Sequence, residues 1–295
     1  VHCGRSYRTC SLASDPQNPS PDARRKYAAA ALARQRRAHV DVDHHGAIVR
    51  EVETRLFEHI EPVRLAPTRA VSLGADSRQF QRALGAQFAN TRWLQLVSCI
   101  GYLRPARRRW PWRRAPAAIA WPHQLPVADA SIGLVVSNLT SSDPLHLPDA
   151  LGEYARCLEP DGLVALSLLG PATFGEFAHA WQTIDSGPHT APFLDMHDVG
   201  DILVNQGFSG VVMDSEMLTV TYASVADAII ELRGLGIGNH LLCRRNGLVS
   251  RGAWRRAAEA YPQADGRVPV TVELVYAHAW RQSPRNSASV NLEIT

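Results

Sequence analysis

Short apolar runs alternate along the middle of the chain with segments in which apolar residues recur every three or four positions. The apolar runs predict strands at 69–74, 93–98, 117–121, 132–138 and 163–169. The periodic segments at 77–88 and 147–158 predict helices between these strands, and the segments at 22–38 and 47–60 predict two helices before the first strand. Strands that alternate with helices form a parallel sheet with crossover helices, which is the fold class that this pattern predicts.

The second half of the chain adds longer elements. Residues 211–222 and 268–280 alternate apolar and polar positions, which predicts two long strands at a sheet edge. Helices are predicted at about 173–184, 195–206, 225–235 and 251–261. Before the strand at 163–169, the sequence E-P-D-G predicts a turn in which Pro160 fixes its own φ and Gly162 accepts a positive φ.

Composition and charge narrow the class of protein. Of the 295 residues, 45% are hydrophobic and 20% are charged, which is typical of a globular protein, and the net charge of +3 is too small to predict a nucleic-acid binder. Five cysteines without a C-x-x-C pair indicate reduced thiols in a cytoplasmic protein and no metal site. No apolar stretch is long enough to span a membrane. Residues 1–21 and 282–295 are predicted to be disordered, leaving one domain at 22–281.

Two motifs lie in the middle of the chain. Residues 125–139 read L-P-V-A-D-A-S-I-G-L-V-V-S-N-L, and residues 158–167 read L-E-P-D-G-L-V-A-L-S. Both resemble motifs of class I methyltransferases. The resemblance implies a Rossmann-like fold with a seven-stranded, mostly parallel sheet whose last strand is antiparallel. It also implies S-adenosylmethionine as the cofactor.

Motifs in the second half resemble one family more specifically. They are F-G-E-F-A-H-A-W (174–181), G-P-H-T-A-P-F (187–193), L-R-G-L-G-I-G-N-H (232–240) and G-R-V-P-V-T-V-E-L-V-Y (266–276). Together they resemble the malonyl-acyl-carrier-protein O-methyltransferases of biotin synthesis, the BioC family, which methylate a carboxylate. The resemblance implies a helical lid at about 171–206 and 224–262. A sister group, the mitochondrial complex I assembly factors that hydroxylate an arginine, shares some of these features and is a further alternative.

The cofactor motif departs from the family at most of its positions. In the alignment Gly74 is kept, but Ser72 stands in place of the acid that ends the first strand. The remaining departures are Asp76 and Arg78 for two loop glycines, Val97 for the acid that holds the ribose hydroxyls, and Trp121 for an Asp beside the adenine. Each loss removes a contact, so we expect impaired cofactor binding and leave open whether the chain is an enzyme. A shifted loop alignment, with Asp76 as the acid, is the alternative.

If the chain no longer binds the cofactor, a side chain should occupy the space that the cofactor would take. We expect the side chain of Arg78 or of Trp121 to occupy it, because protein interiors leave few voids. In the lid motifs, His189 is a candidate for a structural or a substrate-facing role. Trp181 and Tyr222 are lid candidates that we expect to pack rather than to bind a cofactor.

An arginine-rich segment interrupts the chain after the second predicted strand. Residues 104–114 read R-P-A-R-R-R-W-P-W-R-R and contain no acid. The arginines are Arg104, Arg107, Arg108, Arg109, Arg113 and Arg114. A solvated loop is one interpretation. Another interpretation is a pseudoenzyme that binds an acidic protein here, such as the family's acyl carrier protein. Binding of nucleic acid is a third interpretation.

Overall fold

A computed structural model describes residues 47–74, 76–98, 116–234, 239 and 247–283. The predicted helix at 22–38 and the arginine-rich segment at 104–114 lie outside these residues. The described helices are α1 (Ala47–Ile60), α2 (Arg78–Gln87), α3 (Leu147–Cys157), α4 (Gly175–Gln182), α5 (Met196–Asn205), α6 (Val225–Gly234) and α7 (Arg251–Glu259). The strands are β1 (Arg69–Leu73), β2 (Arg92–Val97), β3 (Ala117–Ile119), β4 (Ile132–Asn138), β5 (Leu158–Leu169), β6 (Phe208–Tyr222) and β7 (Val268–Arg281).

The seven strands form one sheet in the order β3-β2-β1-β4-β5-β7-β6. Neighbouring strands from β3 to β5 are parallel, whereas β7 is antiparallel to both β5 and β6. The prediction of a mostly parallel seven-stranded sheet with an antiparallel last strand is therefore confirmed. The order reverses between β1 and β4, so their carboxyl ends flank the switch point at which α/β sheets bind ligands.

Helices cover the sheet on both faces. One core layer contains the apolar faces of α1, α2, α4, α6 and α7, and the other contains those of α3 and α5. Strand β4 lies between the layers and is buried along its whole length. Such burial on both faces is expected of a central parallel strand, because crossover helices pack above and below it.

The turn predicted before β5 differs from the structure. The strand begins at Leu158, and Asp161 rather than Gly162 takes the left-handed conformation, with a φ of 60°. Gly162 is needed for a different reason, since an added Cβ would lie 2.9 Å from the carbonyl oxygen of Glu159. The prediction that Gly162 supplies the positive φ is therefore wrong, because close packing of the backbone, not φ, selects glycine there.

The chain after β7 is described as far as Ser283. The backbone N–H of Gln282 donates to the carbonyl of Gly207 at 3.2 Å, and the Ser283 hydroxyl donates to the Asp161 carboxylate at 2.9 Å. Gly207 follows α5 with a φ of 84°, the left-handed conformation in which glycine commonly ends a helix. Among the helices that the structure describes, none combines the length and the hydropathy that a membrane crossing demands.

Candidate functional site

The positions singled out in the cofactor motif lie together at the carboxyl edge of the sheet. Leu73, the last residue of β1, pairs with Leu96 of β2 and with Ser137 of β4. Val97 ends β2 and pairs with Ile119, the last residue of β3. Ser72, Gly74 and Asp76 therefore stand beside Val97, and Trp121 follows at the exit of β3.

Gly74 turns the chain sharply at the end of β1. Its φ is 137°, and its N–H donates to the carbonyl of Leu96 at 3.0 Å. A Cβ added there would lie 2.8 Å from the carbonyl oxygen of Asn138 and 3.1 Å from the Thr140 hydroxyl. Both the backbone conformation and the close approach of β4 thus require glycine, whatever binds at this edge.

A hydrogen bond between a residue of β1 and a residue of the following loop closes the loop after Gly74. The Ser72 hydroxyl donates a hydrogen bond to the Asp76 carboxylate, and the two residues are 5% and 2% exposed. The carboxylate is therefore directed back toward β1 and is withdrawn from solvent. A glycine at position 76 would leave this space open.

A second buried acid reaches the same loop from α1. Ser77 is the N-cap of α2, and its hydroxyl accepts from the Phe80 N–H at 3.1 Å. The N–H of Ser77 itself donates to the carboxylate of Glu53 at 2.6 Å, and Glu53 is 3% exposed. Sequence reasoning missed Glu53. Its signal was an acidic residue on the apolar face of α1, one helical turn after Val49.

At the same edge of the sheet, hydroxyl groups of β4, of the loop after it and of α3 form hydrogen bonds with one another or with the backbone. The Thr140 hydroxyl lies 3.0 Å from the Leu73 carbonyl oxygen, to which it donates. The Ser141 hydroxyl lies 2.7 Å from the Tyr154 hydroxyl and 3.3 Å from that of Ser137. Burial raises the pKa of Tyr154 to about 12. These polar groups are thus committed to contacts within the protein.

Three rings stack where β3 leaves the sheet. The Trp121 ring lies 6.0 Å from that of His123, which lies 5.0 Å from the ring of His146. The His146 Nδ1 is 2.9 Å from a carboxylate oxygen of Asp143. Burial lowers the pKa of His123, and the neighbouring His146 lowers it further. The stack therefore favours a neutral His123.

The side chain of Arg78 or of Trp121 was expected to fill the cofactor space. Arg78, the first residue of α2, is exposed, so it is not the side chain that fills a buried space there. The inward space beside Gly74 belongs instead to Asp76, and Glu53 reaches the adjoining Ser77. Trp121 is half-buried and stacks on His123.

Two of the lid candidates are in direct contact. The rings of Trp181 and His189 stack with centroids 4.8 Å apart, and the His189 Nε2 lies 2.7 Å from the Asp185 carboxylate. Trp254 of α7 lies 6.2 Å from Trp181, which is 5% exposed. The side chain of Asn239 donates to the Pro188 carbonyl at 2.5 Å. The loop that carries His189 is thereby held against Trp181 of α4 and against Asn239.

Tyr222 occupies a different position, at the end of β6. It is 9% exposed and packs in the core layer that contains α1 and α6. Burial raises its pKa, and the nearby Glu231 carboxylate raises it further.

Within the described ranges, no cluster of three or more His, Cys, Asp or Glu side chains is arranged to hold a metal ion.

Known proteins resemble the chain in sequence and in fold. It is 35% identical over 259 residues to the malonyl-acyl-carrier-protein O-methyltransferase of Gallionella capsiferriformans, covering 84% of this chain and 89% of that relative. It is 38% identical over 243 residues to the enzyme of the same name from Halorhodospira halophila, covering 81% and 82% of the two chains. No protein-family model matches the chain.

Solved structures agree on the fold. The YcgJ protein of Bacillus subtilis superposes with a TM-score of 0.54 at 10% identity, covering 80% of this chain and all of that one. A candidate methyltransferase of Bacillus halodurans superposes with a TM-score of 0.54 at 14% identity, covering 78% of this chain and 99% of the other. With the sheet order and the sequence relatives, these likenesses place the chain in the malonyl-acyl-carrier-protein O-methyltransferase family, with the class I methyltransferase fold.

Proposed function

We propose that this chain is a family member with impaired affinity for S-adenosylmethionine, and that it recognises an acid carried by an acyl carrier protein. The observation that carries the first part is the hydrogen bond from Ser72 to the buried Asp76 carboxylate. It fills the loop in which the resemblance puts open glycines. The relatives' name supports the second part, since it states their carrier-linked substrate.

The residues at the carboxyl edge do not fit the cofactor in the way that the resemblance implies. Position 97 is a valine, 1% exposed, which offers no carboxylate to a ribose hydroxyl pair. Position 76 adds a carboxylate where close approach of a ligand needs glycine. The acids that the resemblance puts at positions 72 and 97 are both absent, and each would contribute on the order of 1–3 kcal/mol, so their loss weakens binding by roughly one to four powers of ten.

The substrate in this proposal lies between the carboxyl edge and the lid. His189 is the lid candidate with a polar ring that could contact a substrate, and Asp185 fixes the orientation of that ring. Trp181 is nearly fully buried and stacks on His189, which favours a positioning role for the indole. Tyr222 is a more distant candidate that supports the lid through core packing.

Restoring the family residues tests the proposal. A variant with Ser72→Asp, Asp76→Gly, Arg78→Gly, Val97→Asp and Trp121→Asp should gain affinity for S-adenosylmethionine, measured by isothermal calorimetry. We expect a dissociation constant below about 1 mM, within the usual range for metabolite sites.

A control variant tests whether a gain in affinity comes from the five restored positions or from a general loss of stability. The variant Arg82→Gly with Arg92→Asp changes exposed residues of α2 and β2 and should leave the affinity as it is in the unmodified protein. If the restored variant keeps the native circular dichroism spectrum and binds no more tightly than this control, the explanation based on the five positions is wrong.

A second candidate function is a non-catalytic scaffold for an acidic protein. The observation that favours it is the run of six arginines without an acid at 104–114. Guanidinium groups bind carboxylates and phosphates, and such binding weakens with salt because it depends on charge. The acyl carrier protein named for the relatives is the partner that this candidate predicts.

Substituting the arginines tests the scaffold. Changing all six to serine should abolish capture of acyl carrier protein on a sensor surface at low salt, whereas changing all six to lysine should retain most of it. Raising the salt from about 50 to about 500 mM should weaken capture by the unmodified protein, because the Debye length shortens severalfold. Equal capture by the serine variant would reject this function.

A further inference from the structure

The sheet has two outer strands of very different length. β3, at one side, has three residues, whereas β6, at the other side, has fifteen. Among the residues that the structure describes, no strand pairs with the outer edge of β6. Alternate residues of an outer strand direct their backbone N–H and C=O groups away from the sheet, where another strand can bind them. A short outer strand limits this exposure, so the long exposed edge of this sheet is that of β6.

The two halves of β6 differ in how they discourage pairing with another strand. In the first half, a register shift between Ser209 and Val212 interrupts the ladder with β7, and two acids follow, Asp214 and Glu216. Bulges and charged side chains are the usual protection of an exposed edge. The second half, residues 217–222, reads M-L-T-V-T-Y and has no charge, no proline and no glycine. Such residues have a high β-propensity and leave the edge open to pairing.

The side chains of this second half are partly open to solvent. Met217, Thr219 and Thr221 are exposed, and Met217 is 55% exposed. Leu218 and Val220 are half-buried and pack against the core layer that contains α1. A strand laid against this edge would therefore bury apolar surface and form side-chain pairs across the new contact as well as backbone hydrogen bonds.

We propose that two copies of this chain pair through the second half of β6, antiparallel and about a two-fold axis at Thr219. Residue 219 then lies opposite itself, and Leu218 lies opposite Val220 of the partner subunit, so the contact is uncharged and self-complementary. An axis in the first half would instead bring Asp214 opposite Glu216 of the partner subunit, and like charges directly opposite each other destabilise a pair of strands. This inference is independent of the state of the cofactor site.

Sedimentation velocity of the whole chain tests the pairing. Two copies of the 32.4 kDa chain should be in equilibrium with single copies, with a dissociation constant on the order of 10 μM because the paired segment is short. Thr219→Lys and Thr219→Glu should each be monomeric at about 100 μM, because like charges then meet at the axis. Val212→Lys changes a position of β6 that is 50% exposed and lies outside the contact, so this control should dimerise as the unmodified protein does.

Mixing the two variants separates a lost contact from a lost fold. An equimolar mixture of Thr219→Lys and Thr219→Glu should dimerise again, because opposite charges then meet at the axis, and added salt should weaken this mixed dimer. Thr219→Cys covers the case in which the charged variants do not fold. Under mild oxidation it should form a dimer that a reductant reverses, whereas Val212→Cys should form no more dimer than the unmodified protein.

Three results would overturn the proposal. The first is an unmodified protein that is monomeric at about 100 μM. The second is a mixture that stays monomeric while both charged variants keep the native circular dichroism spectrum. The third is a dimer that Thr219→Lys leaves intact, since its interface would then lie elsewhere. The affinity for S-adenosylmethionine, which tests the proposed function, is a separate measurement, so the two failures are distinguishable.

Discussion

Gly74 and Gly85 differ in what surrounds them, which makes them a matched pair for a test at the residue scale. Gly74 has a φ of 137°, and a Cβ there would lie 2.8 Å from the Asn138 carbonyl oxygen. Gly85 lies inside α2 with nothing within 4 Å of an added Cβ. Gly74→Ala should lower the free energy of unfolding by about 3 kcal/mol, because the strained backbone and the close contact add.

The same methyl group at Gly85 should have the opposite effect. Alanine favours the helix over glycine, so Gly85→Ala should raise the free energy of unfolding by about 0.5–1 kcal/mol. Urea denaturation of the three proteins provides both numbers. A Gly74→Ala variant as stable as the unmodified protein would contradict the geometry given for the end of β1.

Single residues were predictable from the sequence where a motif fixed their place. Ser72 and Val97 lie at the ends of neighbouring strands, as the alignment implied, because the short β1 and β2 leave little freedom in register. Glu53 was not predicted, since its partner Ser77 is distant in sequence and belongs to another helix. The exposed position of Arg78 was also missed, because only the start of α2 decides which way that side chain points.

At the scale of elements, α3 is joined to β4 by a buried hydroxyl. The Tyr154 hydroxyl lies 2.7 Å from that of Ser141 and donates to that of Ser137 at 3.4 Å. Tyr154→Phe should lower the free energy of unfolding by about 1–2 kcal/mol at pH 8, because two serine hydroxyls lose a partner.

The pKa of Tyr154 adds a dependence on pH. Burial raises it to about 12, above the ordinary value of 10.0, so the unfolded chain releases this proton first. The stability that depends on a neutral Tyr154 is complete below pH 10 and is lost as the pH rises toward 12. The difference in stability between the unmodified protein and Tyr154→Phe should therefore shrink across that interval. A constant difference measured by urea denaturation would contradict the assignment.

The sequence predicted whether a segment is a helix or a strand more reliably than it predicted where that element begins and ends. The apolar periodicity located α3 and β5, but not the continuous passage from Cys157 into a strand that begins at Leu158. A proline and a glycine in this stretch indicated a separate turn. The structure instead incorporates both into the beginning of β5, with Asp161 in the left-handed region.

At the scale of the whole molecule, the alternation of strands and helices was sufficient to predict the fold class. The order β3-β2-β1-β4-β5-β7-β6 depends on which strands become neighbours, and the resemblance to class I methyltransferases, not the periodicity, supplied that expectation. Family membership and the state of the cofactor site are separate questions, since a fold is compatible with gain or loss of a ligand.

The affinity of the unmodified protein for S-adenosylmethionine is the measurement that tests the central claim most directly. Isothermal calorimetry should detect no binding, or a dissociation constant above about 1 mM, because Ser72, Asp76 and Val97 remove the contacts that the cofactor needs. A dissociation constant below about 50 μM, within the usual metabolite range, would contradict the account and show that the loop after β1 opens to bind the cofactor.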